Sequence, residues 1–414
     1  LRQAGDASPT FRTFREQTFS RPSIMRYSRS MIPAHEQTPE QIAPPKPWTV
    51  PTTPLIAGLV LIFAWRIFLT VYANLIPDEC SYWTWSRTLE WSYFDNSGMV
   101  AYLIRLSTEL FRVSTALSVR MPFLILSGAT TFLMYRVSVL LFEDRGRALL
   151  AAFLFNVFPM VLVGGSAAMH DNALIFFWVM TLWAVARFLK SNNPTWFYVM
   201  GLGLGLSMLS KYTGVLAGLS LLAFFAWIGS VRPWLGRKEP WIGVAIAAVF
   251  VLPIIWWNLT HQWASLHHVL FIGSGSSSVA RRFFDGIGYH LAQFLLISPL
   301  LYAALMTAAG VALVRSIFRP RAEWALLICF SLPLLLCGLQ AFRGHVEANW
   351  AAMGYPSATI LAVEYIFYAH GRGKPGICER FNGRYLKIGI AVAVVMVAVA
   401  VAHEIGRASC RERV

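Results

Sequence analysis

The chain has 414 residues, 57% of them hydrophobic and 13% charged, whereas a soluble domain carries about 25% charged residues. That composition excludes a water-soluble globular protein and indicates a polytopic membrane protein. The net charge of +15 is scattered between apolar runs, with no dense block outside a diffuse N-terminal tail, so it reads as membrane topology and not as a nucleic-acid footprint.

The first 50 residues hold seven prolines and several arginines but no apolar core for a signal peptide, and read as a disordered basic tail (1–50). The membrane domain is expected over 51–403. Beyond it, 404–414 breaks abruptly from the preceding helical composition and reads as truncated or foreign sequence. The five cysteines, Cys80, Cys329, Cys337, Cys378 and Cys410, show no CxxC or metal-ligand spacing and read as small apolar packers rather than a disulfide framework.

A spanning helix needs about 20 mainly apolar residues. Runs of this kind occupy 54–75, 120–142, 148–167, 172–189, 196–210, 214–230, 241–258, 288–314, 324–341, 349–368 and 388–403. The expected fold is therefore all-α, a bundle of about eleven transmembrane helices. Lys and Arg concentrate in alternate loops, around Arg145/Arg147, Arg187/Lys190, Arg232/Lys238, Arg315/Arg321 and Arg372/Lys387, which predicts a cytoplasmic N-terminus. Between the first two runs, 99–112 places Met99, Leu103, Leu106 and Leu110 at helical spacing and predicts an interfacial helix on the outer surface.

That topology sends Asp78, Glu79, Asp95, His170, Asp171, Lys211, His345 and Glu347 to one face. Asp78-Glu79 follows the first span and is followed at once by Tyr82, Trp83, Trp85, Trp91 and Tyr93. Paired carboxylates there suit a general base or a phosphate-site organiser; an exposed acidic turn under an aromatic belt is the plainer alternative. Asp95 sits in a turn-like Tyr93-Phe94-Asp95-Asn96-Ser97-Gly98. Asp171 suits either a helix cap or a substrate contact. Lys211 interrupts a Gly-rich apolar run, and a cation at membrane depth is a functional-site candidate before it is a snorkelling side chain. In the short loop Arg343 to Trp350, His345 and Glu347 have the chemistry to ligate a divalent ion or hydrogen-bond a sugar, without a dedicated metal signature.

These residues fall in motifs. Asp78-Glu79-Cys80-Ser81-Tyr82-Trp83-Thr84-Trp85-Ser86-Arg87 with Tyr93-Phe94-Asp95 closely resembles the DEAYYWxWSR…GYFDHPPM signature of bacterial family 39 glycosyltransferases, relatives of protein O-mannosyltransferases and the lipid A aminoarabinose transferase. Met169-His170-Asp171-Asn172-Ala173 is similar to the family's TPDAP, Leu209-Ser210-Lys211-Tyr212-Thr213 to its LSKYT, Trp257-Asn258-Leu259-Thr260-His261-Gln262-Trp263 to its WNxxHxW, and Val346-Glu347-Ala348-Asn349-Trp350 to its HxNWP. Together they cover roughly residues 54–368 in family order.

The resemblance implies a GT-C fold with a catalytic first outer loop in a bacterial inner-membrane enzyme, its active site on the periplasmic side. It implies transfer of a sugar from a polyprenyl phosphate carrier to a lipid, glycan or protein acceptor, with inversion. Asp78 becomes the base or acceptor-orienting carboxylate, supported by Glu79 and Asp95, with a divalent metal ion as an optional cofactor. Lys211 holds the donor phosphate, and Tyr82, Tyr93, Asp171, Tyr212, His345 and Asn349 complete donor and acceptor binding. The family's HPP is replaced by Asn96-Ser97-Gly98, which predicts a looser loop. A transporter or flippase of lipid-linked substrates, and a non-catalytic relative, are the competing readings.

Overall fold

Inside the hydrocarbon a backbone satisfies its own hydrogen bonds by winding into helices, and this chain does so almost throughout. The computed structural model describes residues 50–271, 278–344, 346–370 and 388–399, and among these the β pairing is a single isolated bridge, Ser92 to Ser97. The helices are α1 Thr52–Tyr72, α2 Pro77–Arg87, α3 Met99–Phe111, α4 Ala116–Phe142, α5 Arg145–Val157, α6 Pro159–Gly164, α7 His170–Ser191, α8 Trp196–Ser210, α9 Val215–Trp227, α10 Lys238–Thr260, α11 Ala264–Phe271, α12 Val279–Ile297, α13 Pro299–Phe318, α14 Ala322–Gln340, α15 Tyr355–His370 and α16 Ile388–Val399. Apart from Val50, the two expected tails lie outside the described residues.

Among the described residues six helices are long and apolar enough to cross a membrane, α1, α4, α7, α10, α13 and α14. Three more expected spans are shorter apolar helices: α8, α9 with the 3-10 turn before it, and α16. The run 148–167 is broken into α5 and α6 at Phe158-Pro159, because proline has no N–H and pushes its predecessor out of the α region. Ser298-Pro299 likewise divides 288–314 between α12 and α13, with Ser298 at φ 96°. The stretch 349–368 opens as a 3-10 helix, Ala348–Gly354, and continues as α15.

Burial sorts the long helices. Two-thirds of the apolar window is buried in α7 and in α14 (67% each) against 17% in α1, so α7 and α14 form the centre and α1 presents most of its surface outward. Trp178 of α7 and Phe330 of α14 meet edge to face at 5.4 Å in the middle of the main core. Small residues bring α8 against its neighbours. A methyl added at Gly201 would stand 2.0 Å from the Gly243 carbonyl oxygen on α10, and one at Gly203 would stand 2.3 Å from Thr181 Oγ1 on α7, the close approach by which membrane helices associate.

α3 forms as expected but is turned slightly. Its buried face is Val100, Ala101, Ile104, Ser107 and Thr108, packed toward α2 and α4, while Leu106, Leu110 and Phe111 are exposed. The outward apolar edge is of the kind an interfacial helix lays against lipid.

Two arginines tie the front of the bundle together. Arg66 of α1 has no exposed surface and donates from Nη1 to Ser127 Oγ (2.9 Å) and Asn156 Oδ1 (2.7 Å), and from Nη2 to the Val161 carbonyl (2.7 Å). Arg120 of α4 donates to the carbonyls of Leu69, Ala73 and Asn74 at the C-terminal end of α1. Arginine at a helix centre costs about 2.5–3.5 kcal/mol on insertion scales, so neither placement is incidental.

Candidate active site

The acidic stretch after α1 is a helix and not a loop. Pro77 occupies the first helical position of α2, and Glu79 reaches back to accept from the Ile76 N–H (3.0 Å), a capping arrangement that fixes the turn. The two adjacent acids thereby receive opposite environments. Asp78 is exposed in the first turn, whereas Glu79 has no exposed surface. Its Oε1 accepts from Arg120 Nε (2.7 Å) and the Ala168 N–H (2.9 Å), and its Oε2 accepts from Arg120 Nη2 (2.5 Å). Glu79 was expected beside Asp78 in catalysis. The structure instead seats it in a saturated ion pair joining α1, α2, α4 and the approach to α7, and its carboxylate does not face a cleft.

Four residues from three motifs meet beside α2. Asp171 (6% exposed) accepts from Lys211 Nζ at 2.9 Å through Oδ1 and from Asn349 Nδ2 at 2.9 Å through Oδ2. Lys211 is itself buried at 8% exposure and occupies the break between α8 and the 3-10 turn before α9, in extended backbone. The neighbouring His170 is buried, its Nδ1 paired with the Ser210 carbonyl at 3.0 Å. A carbonyl only accepts, so Nδ1 carries the proton. The His170 ring meets Tyr82 edge-on at 4.7 Å, which brings α2 onto this cluster.

Tyr82 reports on the field. Burial first, and then the charges of Asp78, Asp171 and Asp95, push its phenol well above the ordinary tyrosine range, so it stays a neutral hydrogen-bond donor among three carboxylates. Tyr93 plays a different part from the one expected. It is buried, stacks on Trp85 at 4.4 Å, and donates to the carbonyls of Trp85 (2.9 Å) and Thr88 (3.2 Å). It staples the loop, with its hydroxyl committed to backbone groups. Tyr212 pairs with Ser265 (2.5 Å) and Ser92 (3.1 Å). Asp95 is exposed, 3.7 Å from His268.

The proline-free turn is tethered. Tyr93 N–H donates to the Asn96 carbonyl (3.0 Å) and Ser97 Oγ to the Met208 carbonyl on α8 (3.0 Å). Gly98 packs so closely on Tyr102 that a methyl there would lie 2.6 Å from its Cζ. These contacts offset the looseness expected of a turn without prolines. Glu90, at the head of the same loop, accepts from Trp257 Nε1 (2.5 Å), which joins the WNxxHxW-like segment to the site.

His345 lies outside the described residues. Among the described residues no three His, Cys, Asp or Glu side chains converge as a metal site. Asp78, Glu90 and Asp95 are exposed carboxylates of α2 and the loop after it. A cavity of about 250 Å³ extends inward from the cluster, lined by Asp171, Asn349 and Asn172 near the site and by Ser127, Thr130 and Val161 farther in. Arg120 and Arg66 carry no weight in the motifs above. The available signal was that each interrupts or abuts an apolar run, the same signal that singles out Lys211.

A profile described as dolichyl-phosphate-mannose-protein mannosyltransferase matches residues 95–257. A lipid A galacturonosyltransferase, RgtD, of Rhizobium johnstonii is 27% identical over 329 residues, covering 77% of this chain and 67% of that protein. In structure the chain is similar to ArnT from Cupriavidus metallidurans bound to undecaprenyl phosphate, at TM-score 0.59 and 14% identity, covering 76% of this chain and 60% of ArnT. It is also similar to the Archaeoglobus fulgidus oligosaccharyltransferase, at TM-score 0.50 and 14% identity, over 84% of this chain and 51% of that one. The chain thus spans about 60% of the length of the ArnT chain, and at these identities the structural likeness establishes the fold.

Proposed function

We propose that this chain, a multi-pass membrane protein with the GT-C glycosyltransferase fold, transfers a sugar from a polyprenyl phosphate carrier to a lipid of the bacterial envelope. The observation that carries the reading is the convergence of motifs far apart in sequence. The acidic helix α2, Asp171 at the start of α7, Lys211 at the α8 break and Asn349 meet in one cluster, beside a cavity that Asp171 and Asn349 line. The match to RgtD, whose name gives lipid A as its acceptor, supports a lipid acceptor here; the ArnT likeness supports a membrane-embedded donor site.

In this reading Asp78 takes the proton of the acceptor hydroxyl as its oxygen attacks the anomeric carbon. The bond from that carbon to the phosphate oxygen breaks on the opposite side, and the polyprenyl phosphate leaves with the electron pair, so the sugar inverts. Exposure keeps Asp78 available, while the Glu79–Arg120 pair holds the turn from which it projects. Lys211 offers its ammonium to the phosphate, kept in place by Asp171. A hydrated divalent ion, if used, would find oxygen donors in Asp78 and Asp95. The acidic face is the periplasmic one, opposite the loops with Arg147 and Lys190.

Mass spectrometry of envelope lipids from cells with and without the gene tests this. A lipid heavier by one sugar in cells that carry the gene is the expected result. Movement of the carrier lipid across the membrane with no glycosylated product would make the chain a flippase instead.

A further inference from the structure

Asn172 stands where the TPDAP pattern has an alanine, one residue after the Asp171 that joins Lys211 and Asn349. Its side chain is half-buried and lines the cavity. Both hydrogens of its Nδ2 are committed, one to the Gly164 carbonyl (2.9 Å) and one to the Ala167 carbonyl (2.7 Å), at the end of α6 and in the non-helical link that follows it. Carbonyls left unpaired where a helix stops need such donors. A carbonyl only accepts, so the two contacts also fix which end of the amide is nitrogen. Oδ1 is the end left over, and among the described residues nothing donates to it.

Asn349 is fixed in the same way, because its Nδ2 donates to Asp171 Oδ2 and leaves Oδ1 as an acceptor. The near end of the cavity therefore offers two amide oxygens. Asp171 is the charged residue in the described lining, and Lys211 matches it, so this end is neutral overall. An anion would meet lone pairs there, and an ammonium would find no unmatched negative charge. A prenyl chain would bury both oxygens without a donor, which is unfavourable for any polar group. A neutral O–H donor is what the arrangement fits, and a sugar ring presents several. At about 250 Å³ the space is just below the ~300 Å³ at which pockets for drug-sized ligands begin, which suits one ring.

We propose that Asn172 is a specificity-determining residue for the donor, its Oδ1 accepting a hydrogen bond from one hydroxyl of the sugar ring. This rests on the donor reading above and adds to it a contact that the TPDAP pattern, with alanine at this position, cannot make. The same amide holds the α6–α7 link and reads the sugar, so the oxygen is presented in a fixed orientation.

The test is donor affinity of the full chain in lipid nanodiscs. The probes are mannosyl and galacturonosyl phosphates of one polyprenol, together with the forms of each that lack a single ring hydroxyl. For a parent donor that binds, one deoxy form should bind the wild type about three- to tenfold more weakly, the worth of a neutral hydrogen bond. Asn172→Ala should weaken the parent by a similar factor and leave that one deoxy form unchanged, because two changes that remove the same contact do not add. If Asn172→Ala does not fold, Asn172→Gln takes its place, since it keeps the amide and shifts its oxygen by one methylene; the same pattern is expected. A variant that loses equally on the parent and on every deoxy form would make Asn172 a structural residue alone. That result, or a wild type indifferent to every missing hydroxyl, would overturn the proposal and leave the transferase reading standing. Failure to bind either parent donor would overturn both.

Discussion

Asp78 and Glu79 are neighbours in sequence and opposites in chemistry. A helix places successive side chains about 100° apart, so when α2 forms, one acid faces out and the other faces the bundle. Sequence alone put both acids in the site, Asp78 as base and Glu79 as its support, because the partner that separates them, Arg120, lies 41 residues away. Removing one member of a buried ion pair costs about 3–5 kcal/mol, since the other charge stays buried. Glu79→Gln should accordingly lower thermal stability in detergent by about 3 kcal/mol or more, whereas Asp78→Asn should change it by no more than the ~1 kcal/mol of a lost helix-dipole contact. Equal effects on the melt would contradict the division of roles. Lys211 was legible because a lysine in an apolar run stands out. At Tyr93 the sequence could not reveal the stapling contacts, because a tyrosine beside an acidic loop looks the same whether or not its hydroxyl is tied to backbone.

At the scale of elements, long apolar runs gave the six clear spans, and the breaks were what the pattern hid. Hydropathy is blind to a missing N–H, so 148–167 and 288–314 looked continuous although Pro159 and Pro299 divide them. The break at Lys211 also positions the site, since it turns the end of α8 toward Asp171. The glycines of α8 were visible only as a composition. In the structure they set how closely α8 meets α7 and α10. Gly201→Ala should destabilise the fold by about 1–3 kcal/mol, the usual result of overpacking. Gly310→Ala, in α13 with open space around it, should instead be neutral or stabilising by about 0.5–1 kcal/mol through helix propensity. Thermal denaturation of the two variants side by side checks the difference in sign.

For the molecule as a whole, motif order carried most of the information. Helices α2, α7 and α8 and the 3-10 segment at Ala348–Gly354 each bring one part of the site, and none is sufficient alone. The bundle supplies what a linear reading lacks, the pairing of Asp171 with both Lys211 and Asn349 across 40 and 178 residues. Glu79 is saturated and Asp78 is exposed beside that cluster, which is why the proposed mechanism gives the acceptor to Asp78. The central claim is tested most directly by the rate of sugar transfer from a polyprenyl phosphate donor in membranes holding either the wild-type chain or Asp78→Asn at equal protein level. Loss of a general base typically costs about 10²–10⁴ in rate, and a fall of that size with an unchanged melting temperature is the predicted result. Full-rate transfer by Asp78→Asn would contradict the account.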